Sequence, residues 1–438
     1  MCGRFLLAFS IAASLQAQQD PTELLLRARA RIAESQNQLP RYMCRQTIDR
    51  YQYQPIVPDR SLACDESARR PSTHLSSSDR LRFDVSVKST GEMYGWAGEG
   101  RFDDRELVDI VTDGAISTGS FTAFLTGIFS NEGVSFTYNG ETTQDGRPFP
   151  EFGFHVPYEK SHYFVGFGEY HAVTGYDGTF LVNPQTADIV RLTIRTSQLP
   201  AETGACYSST TLDYARIRLQ DAEFFLPSLS VMRIFSRDGG VAENHTVFSN
   251  CHEFLGESTL TFGPPANVPG GEKSPGSAPE IFVIPPNLRF RVALTEGIDT
   301  ATAAAGDSIK AKLMTPIRDR RKVLAPIGAA ITGRIVEIRQ LYASSPSVLL
   351  VFKLETVDAG GVTVQLAATP DTAKNFPQSK PGTLQRRIEL GALRSLEERS
   401  AALEFRNVRL PYLISRGVES TWITTTPAAV DSVSASQK

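Results

Sequence analysis

The sequence predicts a mainly β protein with few helices, an α+β chain in which a curved antiparallel sheet cradles a helix and a small β-barrel domain follows. Three observations carry this. From Arg80 to Phe262 almost every segment reads as β-strand, alternating polar with apolar residues or rich in β-branched and aromatic ones. The pairs Asn139-Gly140, Asp177-Gly178, Asn183-Pro184 and Asp238-Gly239 punctuate those segments as hairpin turns do, which favours a meander over a parallel sheet. One stretch has helical spacing instead: Phe121, Phe124, Leu125, Ile128 and Phe129 line one stripe of a helix at about 119–130, with Ser117 or Ser120 as candidate caps. A lone apolar helix among strands has to bury that stripe against a sheet.

At 438 residues the chain exceeds one hydrophobic core, so several domains are expected. A net charge of -3 without any basic stripe argues against nucleic acid as a partner. Arg4, the apolar run Phe5 to Leu15 and then Ala17 have the charge, core and small-residue exit of a secretory signal, residues 1–17. The run is too short to span a membrane, so a periplasmic or extracellular protein without a transmembrane segment is expected. Removing Cys2 with the signal leaves 5 − 1 = 4 cysteines, Cys44, Cys64, Cys206 and Cys251. Three pairings are open. The pairs closest in sequence, Cys44 with Cys64 and Cys206 with Cys251, would each staple a local loop and contribute about 3 to 4 kcal/mol. A metal site is disfavoured, since there is no C-x-x-C and no histidine at ligand spacing.

The first domain spans 18–262. Asp20-Pro21-Thr22-Glu23 starts a helix over about 21–36, with Leu25, Ala28 and Ile32 inward and Arg27, Arg29 and Arg31 toward water. Tyr42 to Gln54 reads as a strand and Ile56 to Ser78 as a loop. Arg80 to Lys88 alternates without a break and is the clearest strand; Glu92 to Ala97 follows and carries Trp96. Further strands are expected at Val134–Tyr138, Phe149–Val156, His162–Thr174, Thr179–Val182, Ile189–Arg195, Thr210–Leu219, Ser230–Ser236, Val241–Phe248 and Glu253–Phe262. Residues 263–286, rich in Gly, Pro, Ser and Ala, read as a linker. The second domain, 287–426, offers strands at Arg289–Leu294, Ser308–Leu313, Ala330–Gln340, Val348–Thr356, Val362–Ala368 and Glu419–Thr425, with Asp358-Ala359-Gly360-Gly361 as a hairpin turn. Residues 427–438 read as a disordered tail.

The layout of residues 20–262, with Phe180-Leu181-Val182-Asn183-Pro184-Gln185-Thr186 entering a strand, resembles periplasmic lipoprotein carriers and related envelope-stress sensors, with Asn183 in place of the acid in their Asp-Pro turn. Gly306-Asp307-Ser308-Ile309-Lys310-Ala311, Val323 to Ala329 and Gly333-Arg334-Ile335 resemble the β-barrel of the bridging subunit of type IV secretion systems over about 287–369. Pro326 and Gly328 match that family's Pro-x-Gly step before a strand at the barrel rim. These likenesses imply an exported bacterial envelope protein whose partners are a lipid, a lipidated protein or another envelope protein.

No catalytic residue or cofactor is indicated. His162, His171 and Glu169 are the one histidine cluster worth testing as a metal site, against a reading as surface histidines. No Gly-x-Ser-x-Gly elbow exists. Gly270 to Ser274 lacks the Gly-Lys step of a phosphate loop, Asp299-Thr300-Ala301 lacks the Gly of an aspartic-protease loop, and Asn244-His245-Thr246 is a glycosylation sequon by letter. The set Trp96, Phe121, Phe124, Leu125, Ile128, Phe129, Phe136 and Phe154 has two readings, the lining of an apolar ligand site or a closed core. The function expected is non-enzymatic binding of an apolar ligand or a lipidated or hydrophobic partner segment in the curved sheet. The alternatives are an envelope scaffold acting through the barrel and a metal-dependent enzyme at His162 and His171.

Overall fold

The computed structural model describes residues 20–56, 64, 72–88, 91–102, 107–111, 113–167, 170–196, 199–254, 284–371 and 400–426. The expected signal peptide, the linker up to residue 283 and the tail lie outside the described residues.

Twelve strands form the first unit: β1 Tyr42–Pro55, β2 Thr73–Lys88, β3 Gly91–Trp96, β4 Ser135–Gln144, β5 Arg147–Val156, β6 Phe164–Phe167, β7 Tyr170–Val173, β8 Tyr176–Val182, β9 Ile189–Thr196, β10 Ala205–Leu219, β11 Ala222–Ser236 and β12 Val241–Glu253. Ten of them pair antiparallel in the order β3-β2-β1-β12-β11-β10-β9-β8-β5-β4, a curved open sheet. The single strand expected at 162–174 is instead a separate hairpin, β6 with β7. The expected strand at 230–236 begins eight residues earlier, because Gln220 takes a left-handed φ of 51° and turns the chain tightly from β10 into β11. Pro227 is tolerated there because it sits at a register shift.

Among the described residues three α-helices accompany the sheet: α1 Pro21–Gln38, the one-turn α2 Leu107–Ile110 and α3 Ala123–Phe129. The helix expected over 119–130 is thus helical only from Ala123.

Two of the expected turns are not turns. Asp177-Gly178 lies inside β8, where a side chain on Gly178 would meet Thr193 O at 2.0 Å and the Phe154 ring at 2.4 Å. Asn139-Gly140 forms a register shift inside β4, and the β4–β5 turn is made by Asp145 and Gly146, both at positive φ. Asn183 and Asp238-Gly239 do turn the chain: Asn183 Oδ1 accepts from the amides of Gln185 at 2.9 Å and Thr186 at 3.2 Å.

The second unit contains β13 Arg289–Leu294, β14 Ile298–Asp299, β15 Ser308–Leu313, β16 Ile317–Asp319, β17 Lys322–Ala325, β18 Ala330–Leu341, β19 Ser347–Asp358, β20 Thr363–Gln365, β21 Ala368–Pro370, β22 Ala401–Arg406, β23 Leu413–Ile414 and β24 Glu419–Thr424. Pairing runs β20-β19-β18-β15-β13-β24-β21, with the chain bending between β20 and β21. Trp422, Phe290 and Phe352 fill the enclosed core. Gly328, at φ 83°, forms the turn from Pro326 into β18.

The two units meet in one continuous sheet. Arg339, Gln340 and Leu341 of β18 pair with Asp79, Ser78 and Ser77 of β2. Arg82 pairs with Asp307, and Arg80 donates to Ala301 O at 2.8 Å. Beside this seam the Arg50 guanidinium, 6% exposed, holds Asp79 at 2.5 Å and donates to Asp113 O at 2.6 Å; Arg339 pairs with Asp113 and lies 2.8 Å from Glu337.

Candidate functional site

The site is built where α1 and the segment 119–129 lie on the hollow face of the sheet. Asp20 Oδ1 caps α1 by accepting from Thr22 N at 2.8 Å, and Pro21 takes the first helical position. Leu24, Ala28 and Ile32 are its buried face; Leu24 takes the place expected of Leu25, which is half-buried. The three arginines expected in water reach across the groove instead. Arg27 donates to Gln185 O at 3.0 Å, Arg29 to Phe129 O at 3.1 Å, and Arg31 to Asp188 Oδ1 at 3.3 Å. Asp188, with a side chain 3% exposed, also accepts from Arg216 at 2.8 Å, so one buried carboxylate ties α1 to β10.

Neither Ser117 nor Ser120 caps α3. Thr122 occupies the N-cap with no side-chain bond, and the turn before it is held from the sheet: Glu92 of β3 accepts from Gly119 N and Phe121 N, both at 3.0 Å, and from Tyr94 Oη at 2.5 Å. A carboxylate on a distant strand thus substitutes for a local cap.

The helical stripe divides at this turn. Phe121 points to Tyr42 and Phe248, with ring centroids at 5.9 and 4.9 Å. Phe124, Ile128 and Phe129 enter a second cluster with Phe152, Phe154 and Phe180, where the Phe129 ring lies 5.9 Å from Phe136 and 4.9 Å from Phe180. Trp96 packs against the Phe121 cluster from its far side, stacking on Phe83 at 4.6 Å beside Gly306. Of the eight residues proposed as an apolar lining, Phe121 and Leu125 line a cavity, and the other six are packed in clusters.

That cavity has a volume of about 100 Å³. Its walls are Ile32 and Leu39 from α1 and its exit, Phe121 and Leu125, Ile189, and the β10–β11 hairpin from Tyr214 to Leu226, with Arg31, Asp188 and Glu223 among its polar lining. Ligand sites ordinarily measure about 300 to 1,000 Å³, so the space at the seam is smaller than such a site.

Sequence reasoning missed its most unusual residue. Tyr214 lines the cavity, is 7% exposed, and its hydroxyl has no hydrogen-bond partner among the described residues; the hydroxyl of Tyr42, fully buried, has none either. Burial, reinforced by the nearby Glu92 charge, pushes both phenols well above their ordinary range, so both stay protonated O–H groups. Tyr214 lies within the strand expected at Thr210–Leu219, but nothing in the sequence showed that its hydroxyl would lack a partner.

The cysteines pair otherwise than expected. Cys44 bonds Cys251, joining adjacent strands β1 and β12, and Cys64 bonds Cys206 at the start of β10. Both are long-range closures, separated by 207 and 142 residues, because the β1–β12 ladder brings the ends of the unit together.

The other motifs resolve into structure. Asp299 Oδ1 accepts from Ala301 N at 2.9 Å and Thr300 Oγ1 from Tyr412 N at 2.8 Å, so that loop is a capped turn. Asn244 of the sequon is 3% exposed and donates to Ala115 O at 2.9 Å, which leaves no room for a glycan. His162 is exposed; Glu169, the His171 side chain and Gly270 to Ser274 lie outside the described residues. Among the described residues no group of three or more His, Cys, Asp and Glu gathers as a metal site, and no helix is long and apolar enough to cross a membrane.

Comparison with solved structures returns low-scoring alignments. A LolA superfamily protein from Nitrosomonas europaea aligns over 54% of this chain and 94% of its own length, at 9% identity and a TM-score of 0.24. A putative outer membrane lipoprotein-sorting protein domain from Vibrio parahaemolyticus aligns over 53% and 92%, at 9% identity and 0.26. Lipoprotein LppX from Mycobacterium tuberculosis aligns over 54% and 99%, at 9% identity and 0.21. No family model and no curated protein matches the sequence. Scores this low leave the functional reading to the geometry of the chain itself.

Proposed function

We propose that the protein is a non-enzymatic, exported envelope protein that binds an apolar ligand, or a lipidated or hydrophobic partner segment, at the seam between α1, the segment 119–129 and strands β9 to β11. The observation that carries this reading is the cavity at that seam, apolar in most of its walls and bordered by α1, whose inner face is packed in the core and whose Arg27, Arg29 and Arg31 are hydrogen-bonded across its edges. Uptake of an acyl chain requires that volume to grow toward the size of an ordinary ligand site, with the packed Leu24, Ala28 and Ile32 face of α1 giving way. Export accounts for the two disulfides, which form and persist in oxidising compartments. Organic extraction and mass spectrometry of the purified protein test the reading: co-purifying acyl lipids, or stoichiometric uptake of added lipid, support it. Protein that is empty and takes up none refutes it.

A second reading, an envelope scaffold acting through the barrel, is favoured by one observation. Strand β22 pairs with β19 alone among the described residues, and its other edge is the candidate place for strand addition. Crosslinking in cells that captures a stable protein partner through residues 401–406 supports it, and capture of none there counts against it.

A further inference from the structure

We propose that the β16–β17 hairpin of the second unit is a docking surface for an anionic lipid bilayer, with its cations against the phosphate layer and its exposed apolar side chains entering the bilayer's outer edge. This goes beyond the binding reading above and does not depend on the cavity.

The hairpin forms a two-stranded sheet of its own, apart from the large one. Ile317 and Ala325, paired across its base and fully buried, root it in the core of the second unit. Beyond that base Arg318, Arg320, Arg321, Lys322 and Val323 are all exposed, and Asp319 is half-buried. Four cations against one carboxylate leave 4 − 1 = 3 positive charges on five consecutive residues, in a chain whose total is -3. Cations elsewhere in this unit hold carboxylates, as Arg289 does with Asp371, Arg291 with Glu419, Lys310 with Glu296 and Arg334 with Glu355. Among the described residues none of the four hairpin cations has such a partner, so their charge is available to something outside the chain.

The turn itself points the same way. Asp319 pairs with Lys322, so Arg320 and Arg321 alone connect the strands, and Arg320 takes a left-handed φ of 51°. Tight hairpins give that corner to Gly, Asn or Asp. A long side chain there costs conformational energy and adds nothing to the fold, which is the mark of a position serving function. Beside the cations stand two apolar side chains, Val323 opposite Arg318, 44% exposed, and Ile327 just past the end of β17, 67% exposed. An anionic bilayer meets both needs at once, with phosphates for the guanidinium groups and an apolar layer directly beneath them. An acidic polypeptide would use the cations and leave Val323 and Ile327 in water. Nucleic acid is a poorer fit still, because residues 317–327 contain no aromatic ring on which a base could stack.

Co-sedimentation of the full chain with vesicles tests this, using pure phosphatidylcholine and an equal mixture of phosphatidylcholine and phosphatidylglycerol. Binding to the mixed vesicles is expected to be roughly tenfold tighter or more, and to weaken as salt is raised. Each cation at an anionic surface is worth about fivefold, so Arg321→Gln with Lys322→Gln is expected to weaken that binding about twenty-five-fold. Ile327→Ser is expected to weaken vesicle binding and to leave retention on immobilised polyglutamate unchanged. Equal binding to both vesicle types, or binding to neither, overturns the proposal and leaves the lipid-extraction result to decide the cavity by itself. A preference for the mixed vesicles that survives the double substitution overturns the assignment to this hairpin. Tight retention on polyglutamate, with vesicle binding indifferent to Ile327→Ser, gives the surface to an acidic polypeptide instead. Should the double variant not fold, Arg320→Gln at the tip carries the same reading with a loss of about fivefold.

Discussion

Replacing Asp188 by alanine is the perturbation that most directly probes how α1 is fastened. The carboxylate is 3% exposed and accepts from Arg216 at 2.8 Å and from Arg31 at 3.3 Å. Hydrogen bonds to charged groups contribute about 1.5 to 3 kcal/mol each, but the 3.3 Å contact lies beyond the usual N–H to O range of roughly 2.7 to 3.2 Å and counts for little. The two guanidinium side chains are 40% and 43% exposed, so each turns to water when its partner is lost, unlike a buried charge left stranded. The net loss is therefore about 1.5 kcal/mol, close to a single charge-assisted bond. Urea unfolding is expected to show that loss at an unchanged m-value, and hydrogen exchange is expected to accelerate in the α1 amides before those of β8 to β10. A stability change below about 0.5 kcal/mol, or exchange that rises uniformly across the sheet, would refute the view that this triad fastens the helix.

Other consequences are as specific. Non-reducing peptide mapping is expected to join the Cys44 peptide to that of Cys251 and the Cys64 peptide to that of Cys206; each closure, over 207 and 142 residues, contributes about 5 kcal/mol in the chain-entropy account. Recovery of local Cys44–Cys64 peptides would contradict the ladder between β1 and β12. Burial raises the Glu337 carboxyl above its ordinary 4.5, against the opposing pull of Arg339. Its raised folded value means that wild-type stability is favoured while the group is protonated and falls as pH rises through that value. Glu337→Gln is accordingly expected to match wild type below pH 4.5 and exceed it at neutral pH, as read by thermal melts across pH; the opposite trend would show that the charge is needed. Gly306, at φ 98°, lies where a Cβ would meet Arg82 O at 2.5 Å and the Trp96 ring at 2.9 Å. Gly306→Ala is expected to cost about 1 to 3 kcal/mol by calorimetry, and a neutral result would mean that the junction between the units gives way easily.

Much of the fold was legible because its signals are local. Alternation fixed Arg80 to Lys88, Thr210 to Leu219 and most of the barrel strands, and Asp20-Pro21 fixed the start of α1. What failed depended on residues far apart in the chain. Asp177-Gly178 has the letters of a turn, but its glycine exists to admit the Phe154 ring from the neighbouring strand. The cysteines nearest in sequence are not nearest in space, since β1 and β12 come together only when the meander closes up. The candidate site was legible only in part: helical spacing grouped Phe121 and Leu125, which stand at the cavity, with Phe124, Ile128 and Phe129, which the turn held by Glu92 directs into a packed cluster. Tyr214 and Asp188 carry no motif at all, and their significance lies in burial and in the presence or absence of partners.

Photocrosslinking decides whether the seam is where the ligand sits. A palmitate methyl ester bearing a diazirine on its chain, irradiated with the full protein and mapped by peptide mass spectrometry, is expected to mark residues 119–129 and 222–226 and to lose that labelling when unlabelled methyl palmitate competes. Labelling confined to the barrel strands, or spread evenly over the surface and indifferent to competitor, would contradict the account.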